Sequence, residues 1–113
     1  MSGITTHVLD IARGRPASGV PVNLEVRAGS GWRGIGRAVT DADGRVQQLL
    51  RADFSLTAGI YRLTFGVETY FQREGIESFY PEASIVFHVR DADQHYHVPL
   101  LLSPYGYSTY RGS

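Results

Sequence analysis

The chain has 113 residues, enough for one domain (residues 1–113) with a modest hydrophobic core. Eleven basic and eleven acidic side chains give a formal net charge of zero, so no long-range field draws the protein to nucleic acid or to an anionic membrane. The sequence has no cysteine, which excludes disulfides, thiolate catalysis and zinc sites built on cysteine.

Short extended segments alternate with turn residues through the first half of the chain. The clearest is the second, because valine or leucine occupies every second position from Val20 to Val26, which is the period of a half-buried strand. Residues 41–44, Asp-Ala-Asp-Gly, predict a tight turn because Asp and Gly accept the backbone angles of a reversal. In this half the pattern predicts strands at residues 5–11, 20–27, 32–40 and 45–50.

The second half of the chain continues this pattern and adds one helix. Residues 67–74 predict a short helix, with Val67, Tyr70 and Phe71 on its apolar side and Gly75 after its last turn. Strands are predicted at residues 59–65, 84–90, 94–102 and 105–112. Many strands separated by turns, with so little helix between them, favour an all-β antiparallel sandwich.

The strand predicted at residues 94–102 has an unusual second face. Its even-numbered residues, from Tyr96 onwards, are apolar and should point into the core. The opposite face mixes histidine with apolar residues: His95, His97, Pro99 and Leu101. Such a face indicates the wall of a cleft or a subunit contact. His7 and Leu9 repeat the mixture on the first predicted strand.

Three interpretations compete for these histidines. His95 and His97 would lie about 7 Å apart on one face of a strand, and with His7 as a third ligand they could hold zinc, although no carboxylate completes the set. Alternatively, a histidine exchanges protons near neutral pH as a general acid or base. In the third interpretation they are surface histidines without a role, and the spacing alone favours this one.

The chain ends on Tyr110, Arg111, Gly112 and Ser113. Chain ends usually fray, whereas this one carries aromatic and hydrogen-bonding side chains up to its last residue, which predicts that the segment is part of a site. Ser113 is interpreted as a hydrogen-bonding group, because the Gly-x-Ser-x-Gly context of a serine nucleophile is absent. Arg45, taken by itself, is interpreted as a solvated charge at the start of a strand.

Three stretches of the sequence match one family of proteins. They are Thr6-His7-Val8-Leu9-Asp10 with Gly14 and Pro16, Thr40-Asp41-Ala42-Asp43-Gly44-Arg45 with Gly59-Ile60-Tyr61, and the closing stretch from His95 to Ser113. In these stretches, and over essentially its whole length, the sequence resembles the transthyretin-like 5-hydroxyisourate hydrolases. The closing Tyr-Arg-Gly-Ser and the histidines distinguish this enzyme group from transthyretin, the vertebrate hormone carrier. The family motif rests on His97 and leaves the part of His95 open.

The resemblance implies a transthyretin-like (prealbumin-like) antiparallel sandwich of two four-stranded sheets with one short helix. It also implies a homotetramer, in which two dimers enclose a channel and the active sites lie at the dimer–dimer interface. Each site would be lined by residues from distant parts of the chain: His7, Arg45, His97, Tyr110, Arg111, Gly112 and Ser113.

The activity implied by the resemblance is the hydrolysis of 5-hydroxyisourate to 2-oxo-4-hydroxy-4-carboxy-5-ureidoimidazoline, on the route from urate to allantoin. The six-membered ring of the substrate would open after attack by water. His7 and His97 would activate the water and transfer protons, in an order that the sequence does not fix. Arg45 would hold the substrate or lower the pKa of a nearby imidazole, which would then stay neutral and basic.

The terminal residues would bind the substrate. Arg111 would stabilise an oxyanion by charge-assisted hydrogen bonds, Tyr110 would narrow the channel and Ser113 would clamp the far side of the ligand. No metal or organic cofactor is implied. We expect a cytoplasmic location, or the peroxisome in a eukaryote, because no apolar run has the length of a membrane span and the first residues carry no secretory signal.

Two other classes of function stay open on the residues alone. A binding module would use the same channel to hold a small hydrophobic or hormone-like ligand, and it predicts an open, apolar channel. A structural sandwich domain predicts no clustered histidine and arginine face and usually a secretion signal. Residue chemistry does not rank the three classes, and the resemblance favours the enzyme.

Overall fold

The computed structural model describes residues 3–113 and places them in two β-sheets with one helix beside them. Apolar side chains from both sheets form one core cluster. The elements in chain order are β1 Gly3–Asp10, β2 Arg15–Pro16, β3 Pro21–Ala28, β4 Gly31–Val39, β5 Arg45–Val46, β6 Gly59–Phe65, α1 Val67–Arg73, β7 Ala83–Val89, β8 His95–Ser103 and β9 Gly106–Thr109.

The first sheet has the strand order β2-β1-β8-β9, and the second sheet has the order β4-β3-β6-β7. The two-residue strands β2 and β5 both pair with β1, on the edge that β8 leaves free. The predicted sandwich of two sheets with one short helix is therefore confirmed. One pair departs from the antiparallel pattern, since β1 and β8 run parallel. A parallel pair needs a long crossover connection, and here the whole second sheet lies between the two strands in the sequence.

The helix is confirmed almost as predicted. It buries Val67, Tyr70 and Phe71 against the core and ends at Arg73, one residue earlier than expected. Gly75 follows with a φ of 72°, a left-handed conformation that glycine adopts without the steric cost of a side chain. In the described residues, no helix has the length and apolar character needed to cross a membrane.

The predicted strand at residues 45–50 is wrong beyond Val46. After β5 the chain leaves the first sheet and crosses towards β4, where the Arg51 N–H donates to the Ile35 carbonyl at 3.0 Å. Leu49, only 2% exposed, enters the core during this crossing. The apolar residues that suggested a strand are therefore buried by a connection between the sheets.

The register of β1 against β8 determines which residues share the outer face of the first sheet. Thr5 lies opposite His97, and His7 lies opposite Pro99. Because side chains alternate between the two faces of a strand, the odd-numbered residues of both strands share the outer face. The even-numbered residues of β1, from Ile4 to Asp10, are all buried.

Buried hydrogen bonds hold β1 in this position. The Thr6 hydroxyl donates to the Val98 carbonyl at 2.6 Å. At the end of the strand, the Tyr70 hydroxyl of α1 donates to the buried carboxylate of Asp10 at 2.7 Å. Burial, together with this bond and the charge of Asp10, raises the pKa of Tyr70 to about 12. The strand that carries His7 is thus fixed to both β8 and the helix.

Candidate active site

A small pocket of about 210 Å³ opens on the outer face of the first sheet. We call it the site pocket. It is lined by residues from β1, from β5 and the position after it, from β8 and from the end of the chain: Thr5, Thr6, Arg45, Val46, Gln47, His95, His97 and Ser113. A larger depression of about 800 Å³ lies over the second sheet, and none of the predicted site residues is among the described residues that line it. Three of the predicted site residues, Arg45, His97 and Ser113, therefore line the smaller pocket.

His97 is the half-buried imidazole of the site pocket. Burial lowers its pKa below the usual value of 6.5, and the positive charge of Arg45 and the charged forms of His7 and His95 lower it further. Among residues 3–113, its Nδ1 atom has one hydrogen-bonding neighbour, the Thr5 hydroxyl at 2.8 Å, and its Nε2 atom has none. At neutral pH the imidazole is thus uncharged and has one nitrogen free to face a ligand.

Gly112 packs directly against this imidazole. Its N–H donates to the His97 carbonyl at 2.8 Å, which returns the end of the chain to β8. A Cβ atom at position 112 would lie 2.6 Å from His97 Cδ2, a distance that real Cβ contacts do not show. Position 112 therefore requires a glycine for reasons of space, and this close approach places Ser113 at the pocket.

His7 lies beside the site pocket on β1, two residues after Thr5 on the same face. Its Nε2 atom is 2.9 Å from the Asp43 carbonyl oxygen. A carbonyl only accepts hydrogen bonds, so Nε2 must carry the proton and donate it. In neutral His7 the proton acceptor is consequently Nδ1. His7 does not line the pocket, but it is near enough for its charge to affect the pKa of His97.

Arg45 enters the pocket at the start of β5, opposite His7. The predicted turn before it is confirmed: the Asp41 carboxylate accepts from the Arg45 N–H at 3.0 Å, and Gly44 has a left-handed φ of 75°. Gly44 also lies against the Val8 carbonyl, where a Cβ would come within 2.4 Å. Of the ion pairs between described residues, none includes Arg45, so its charge is available to a ligand.

The remaining terminal residues do not line the site pocket in the single chain. The Arg111 guanidinium donates to Gln94 Oε1 at 2.9 Å and to the His95 carbonyl at 3.3 Å, and it stacks 4.4 Å from the centre of the Tyr96 ring. Tyr110 is 57% exposed. The structure thus brings Arg45, His97 and Ser113 together, with His7 and Gly112 in contact with this group, and leaves Tyr110 and Arg111 outside it.

Comparison with known proteins shows to which family the chain is related. Residues 4–112 match the sequence model of the HIUase/Transthyretin family. The chain belongs to this family. A probable 5-hydroxyisourate hydrolase of Caenorhabditis elegans is 49% identical over 112 residues, which are 99% of this chain and 82% of that protein.

Solved structures of family members share the fold. A 5-hydroxyisourate hydrolase of Klebsiella pneumoniae is 40% identical with a TM-score of 0.84, covering 97% of this chain and 98% of the other. Sea bream transthyretin in complex with thyroxine is 32% identical with a TM-score of 0.90, covering 96% and 93%. The backbone therefore fits hydrolase and hormone carrier about equally well, and side chains must separate the two functions.

Several residues of the site pocket were not proposed from the sequence, among them Thr6, Val46 and Gln47, and two of the others contact His97 or its neighbour. Thr5 was not singled out, although it shares its face of β1 with His7. His95 was left open, and its Nε2 atom lies 2.8 Å from the Thr5 hydroxyl. The alternation of β1 could have found Thr5. Its pairing with His97 could not be found in this way, because it depends on the parallel register.

The positions of the histidine side chains do not support the zinc interpretation. Within residues 3–113, no three side chains of histidine, aspartate or glutamate are arranged so that they could hold a metal ion. His95 and His97 instead meet at the hydroxyl of Thr5. The arrangement suits proton transfer and the binding of a polar ligand next to a cation.

Replacing Arg45 with glutamine should raise the pKa of His97, because a positive charge that disfavours the imidazolium is removed. The pH dependence of the His97 ring signals in NMR spectra measures this directly. Arg37→Gln is the matched control, since Arg37 is exposed on the second sheet and should leave the titration unchanged. An unchanged pKa in Arg45→Gln would contradict the electrostatic role given to Arg45.

Proposed function

We propose that this chain hydrolyses 5-hydroxyisourate to 2-oxo-4-hydroxy-4-carboxy-5-ureidoimidazoline, a step of urate degradation towards allantoin. The observation that carries the proposal is the uncharged, half-buried His97 beside the unpaired guanidinium of Arg45 in one pocket. The substrate is a polar ring system with a carbonyl group to be attacked, and such a pocket offers it both a base and a cation. The names of the hydrolases to which the chain is similar support the same activity.

In the proposed reaction, an imidazole takes a proton from water while the water oxygen bonds to the ring carbonyl carbon. Arg45 stabilises the negative charge that develops on the carbonyl oxygen. The carbon–nitrogen bond of the ring then breaks, and the imidazolium returns the proton to the leaving nitrogen. His97 can act through Nε2 and His7 through Nδ1, because their other ring nitrogens are engaged. No metal or cofactor takes part in this scheme.

The terminal residues complete the proposed site within a homotetramer. Ser113 binds the substrate from the pocket wall, and the close approach of Gly112 to His97 makes this placement possible. Tyr110 and Arg111 act on the substrate when two dimers pack over the outer face of the first sheet. Exposed apolar side chains near this face and its turns support such packing: Ile11, Tyr105 and Tyr110.

Light scattering should give four copies of the chain per particle, and a monomer with full activity would refute the shared site.

The cellular compartment, which is the cytoplasm or in a eukaryote the peroxisome, stays a prediction.

A second candidate function is the binding of a small ligand without turnover, which the likeness to transthyretin in complex with thyroxine favours. That function calls for an apolar cavity. Three imidazoles and a guanidinium lie in or beside the site pocket, so a polar substrate fits it better.

The direct test is to generate 5-hydroxyisourate in the cuvette by oxidising urate enzymatically and to follow its ultraviolet decay with and without the protein. We expect the decay to accelerate in proportion to the protein concentration. A chelator should leave the rate unchanged, and a loss of rate would restore the zinc interpretation. Decay at the spontaneous rate, with a ligand bound at the pocket, would favour the binding module instead.

A further inference from the structure

One hydroxyl group joins two of the three histidines at the site. Thr5 Oγ1 lies 2.8 Å from His97 Nδ1 and 2.8 Å from His95 Nε2. The parallel register makes this possible, because Thr5 faces His97 directly and His95 is the preceding residue on the same face of β8. Thr5 is half-buried and lines the site pocket.

The hydroxyl has one proton, which limits the protonation states of its two neighbours. If Thr5 donates to His97 Nδ1, then neutral His97 carries its own proton on Nε2 and has no free acceptor. If Thr5 donates to His95 Nε2 instead, it accepts the Nδ1 proton of His97, and Nε2 of His97 becomes the free acceptor. Of these two arrangements, the second leaves a base that can face water in the pocket.

We propose that Thr5 is a positioning residue, whose hydroxyl accepts the Nδ1 proton of His97 and donates its own proton to His95, so that Nε2 of His97 is held ready as the base. This inference rests on the proposed hydrolysis for its catalytic meaning. It adds a residue that does not touch the reacting atoms. When His97 takes a proton on Nε2, its bond to Thr5 stays in place, so no rearrangement accompanies the transfer.

The charged surroundings of His97 agree with this assignment. The titratable or charged groups that act on it are His7 on β1, Arg45 on β5 and His95 on β8. None of them is a carboxylate side chain, so among residues 3–113 no acidic side chain fixes the orientation of the imidazole in the way an aspartate does in a catalytic triad. Within the described chain the neutral hydroxyl of Thr5 is the group that can do so, without raising the pKa of His97 as a carboxylate would.

The test compares Thr5→Val with Thr5→Ser in protein labelled with ¹⁵N at histidine. Above the pKa of His97, the ring nitrogen shifts of the unaltered protein should show the proton on Nδ1, and Thr5→Val should lose this preference. We expect kcat for 5-hydroxyisourate to fall about 10- to 100-fold in Thr5→Val with little change in KM. Thr5→Ser, which keeps the hydroxyl, should restore both the tautomer and most of kcat.

Control variants distinguish a specific role of Thr5 from a loss of fold. The pattern of outcomes also distinguishes failure of this inference from failure of the proposed function. Thr64→Val removes a half-buried threonine hydroxyl from β6 of the second sheet and should change neither readout. If Thr5→Val does not fold, Thr5→Ala gives the same comparison. An Nδ1 proton that is unaffected by Thr5→Val, with full kcat, overturns the inference while hydrolysis stands. If Thr5→Val changes the tautomer of His97 as expected but the unaltered protein does not hydrolyse 5-hydroxyisourate, the positioning role of Thr5 is supported and the proposed function is refuted.

Discussion

Replacing His97 with asparagine should lower kcat/KM for 5-hydroxyisourate by about 10²- to 10⁴-fold, the usual contribution of a general acid or base. Asparagine has a comparable size but cannot take up a proton near neutral pH. The ultraviolet decay of enzymatically generated 5-hydroxyisourate measures the effect. His88→Asn is the matched control, because His88 is an exposed histidine on β7 of the second sheet and should leave the rate unchanged.

The pH dependence of the reaction gives a second readout for His97. Its pKa lies below 6.5, so the imidazole is neutral and active at pH 7, and activity should fall only as the pH drops through this lowered value. In His97→Asn the remaining activity should lack this acid limb. A variant that keeps both the limb and the rate would show that another group, such as His7, is the base.

Replacing Gly112 with alanine should lower kcat by about 10²-fold through displacement of the His97 ring. The new Cβ would lie 2.6 Å from His97 Cδ2, whereas carbon atoms in contact are about 3.5 to 4.0 Å apart. One of the two groups must therefore move by about 1 Å, and a shift of this size at a catalytic group costs about 100-fold in rate. Gly112 does not have a positive φ, so the effect is one of space and not of backbone strain.

Gly31→Ala is the control for this substitution. Gly31 also lies in a strand, has no positive φ and has no atom within 4 Å of the position of a new Cβ. We expect its activity and melting temperature to stay close to those of the unaltered protein. Full activity of Gly112→Ala, with an unchanged NMR titration of His97, would mean that the end of the chain does not constrain the imidazole.

Local patterns in the sequence predicted what depends on local geometry. Alternation placed Val22 and Leu24 in the core and His97 on the outer face, because successive side chains of a strand point to opposite sides. The spacing of Val67 and Tyr70 predicted the buried side of α1. These features follow from the period of each element alone, so one sequence was enough to find them.

Features that join distant parts of the chain were not predictable in this way. The parallel pairing of β1 with β8, and with it the contact between Thr5 and His97, depends on how the chain crosses between the sheets. The grouping of Arg45 with His97 came from the family resemblance, since Arg45 alone looked like a solvated charge. The position of the Arg111 guanidinium could not be predicted from the sequence. Its contact with the Tyr96 ring depends on how the end of the chain returns to β8.

The parallel pairing also determines when the site can form as the protein folds. Thr5 and His97 are 92 residues apart in sequence, so closing their contact costs more chain entropy than closing a hairpin. Contacts of such long range slow folding. During synthesis β1 leaves the ribosome well before β8 and has no partner in it until residues 95–103 have emerged. The pocket can therefore assemble only after β8 has joined β1, and nascent chains that lack β8 have no His97 imidazole to offer.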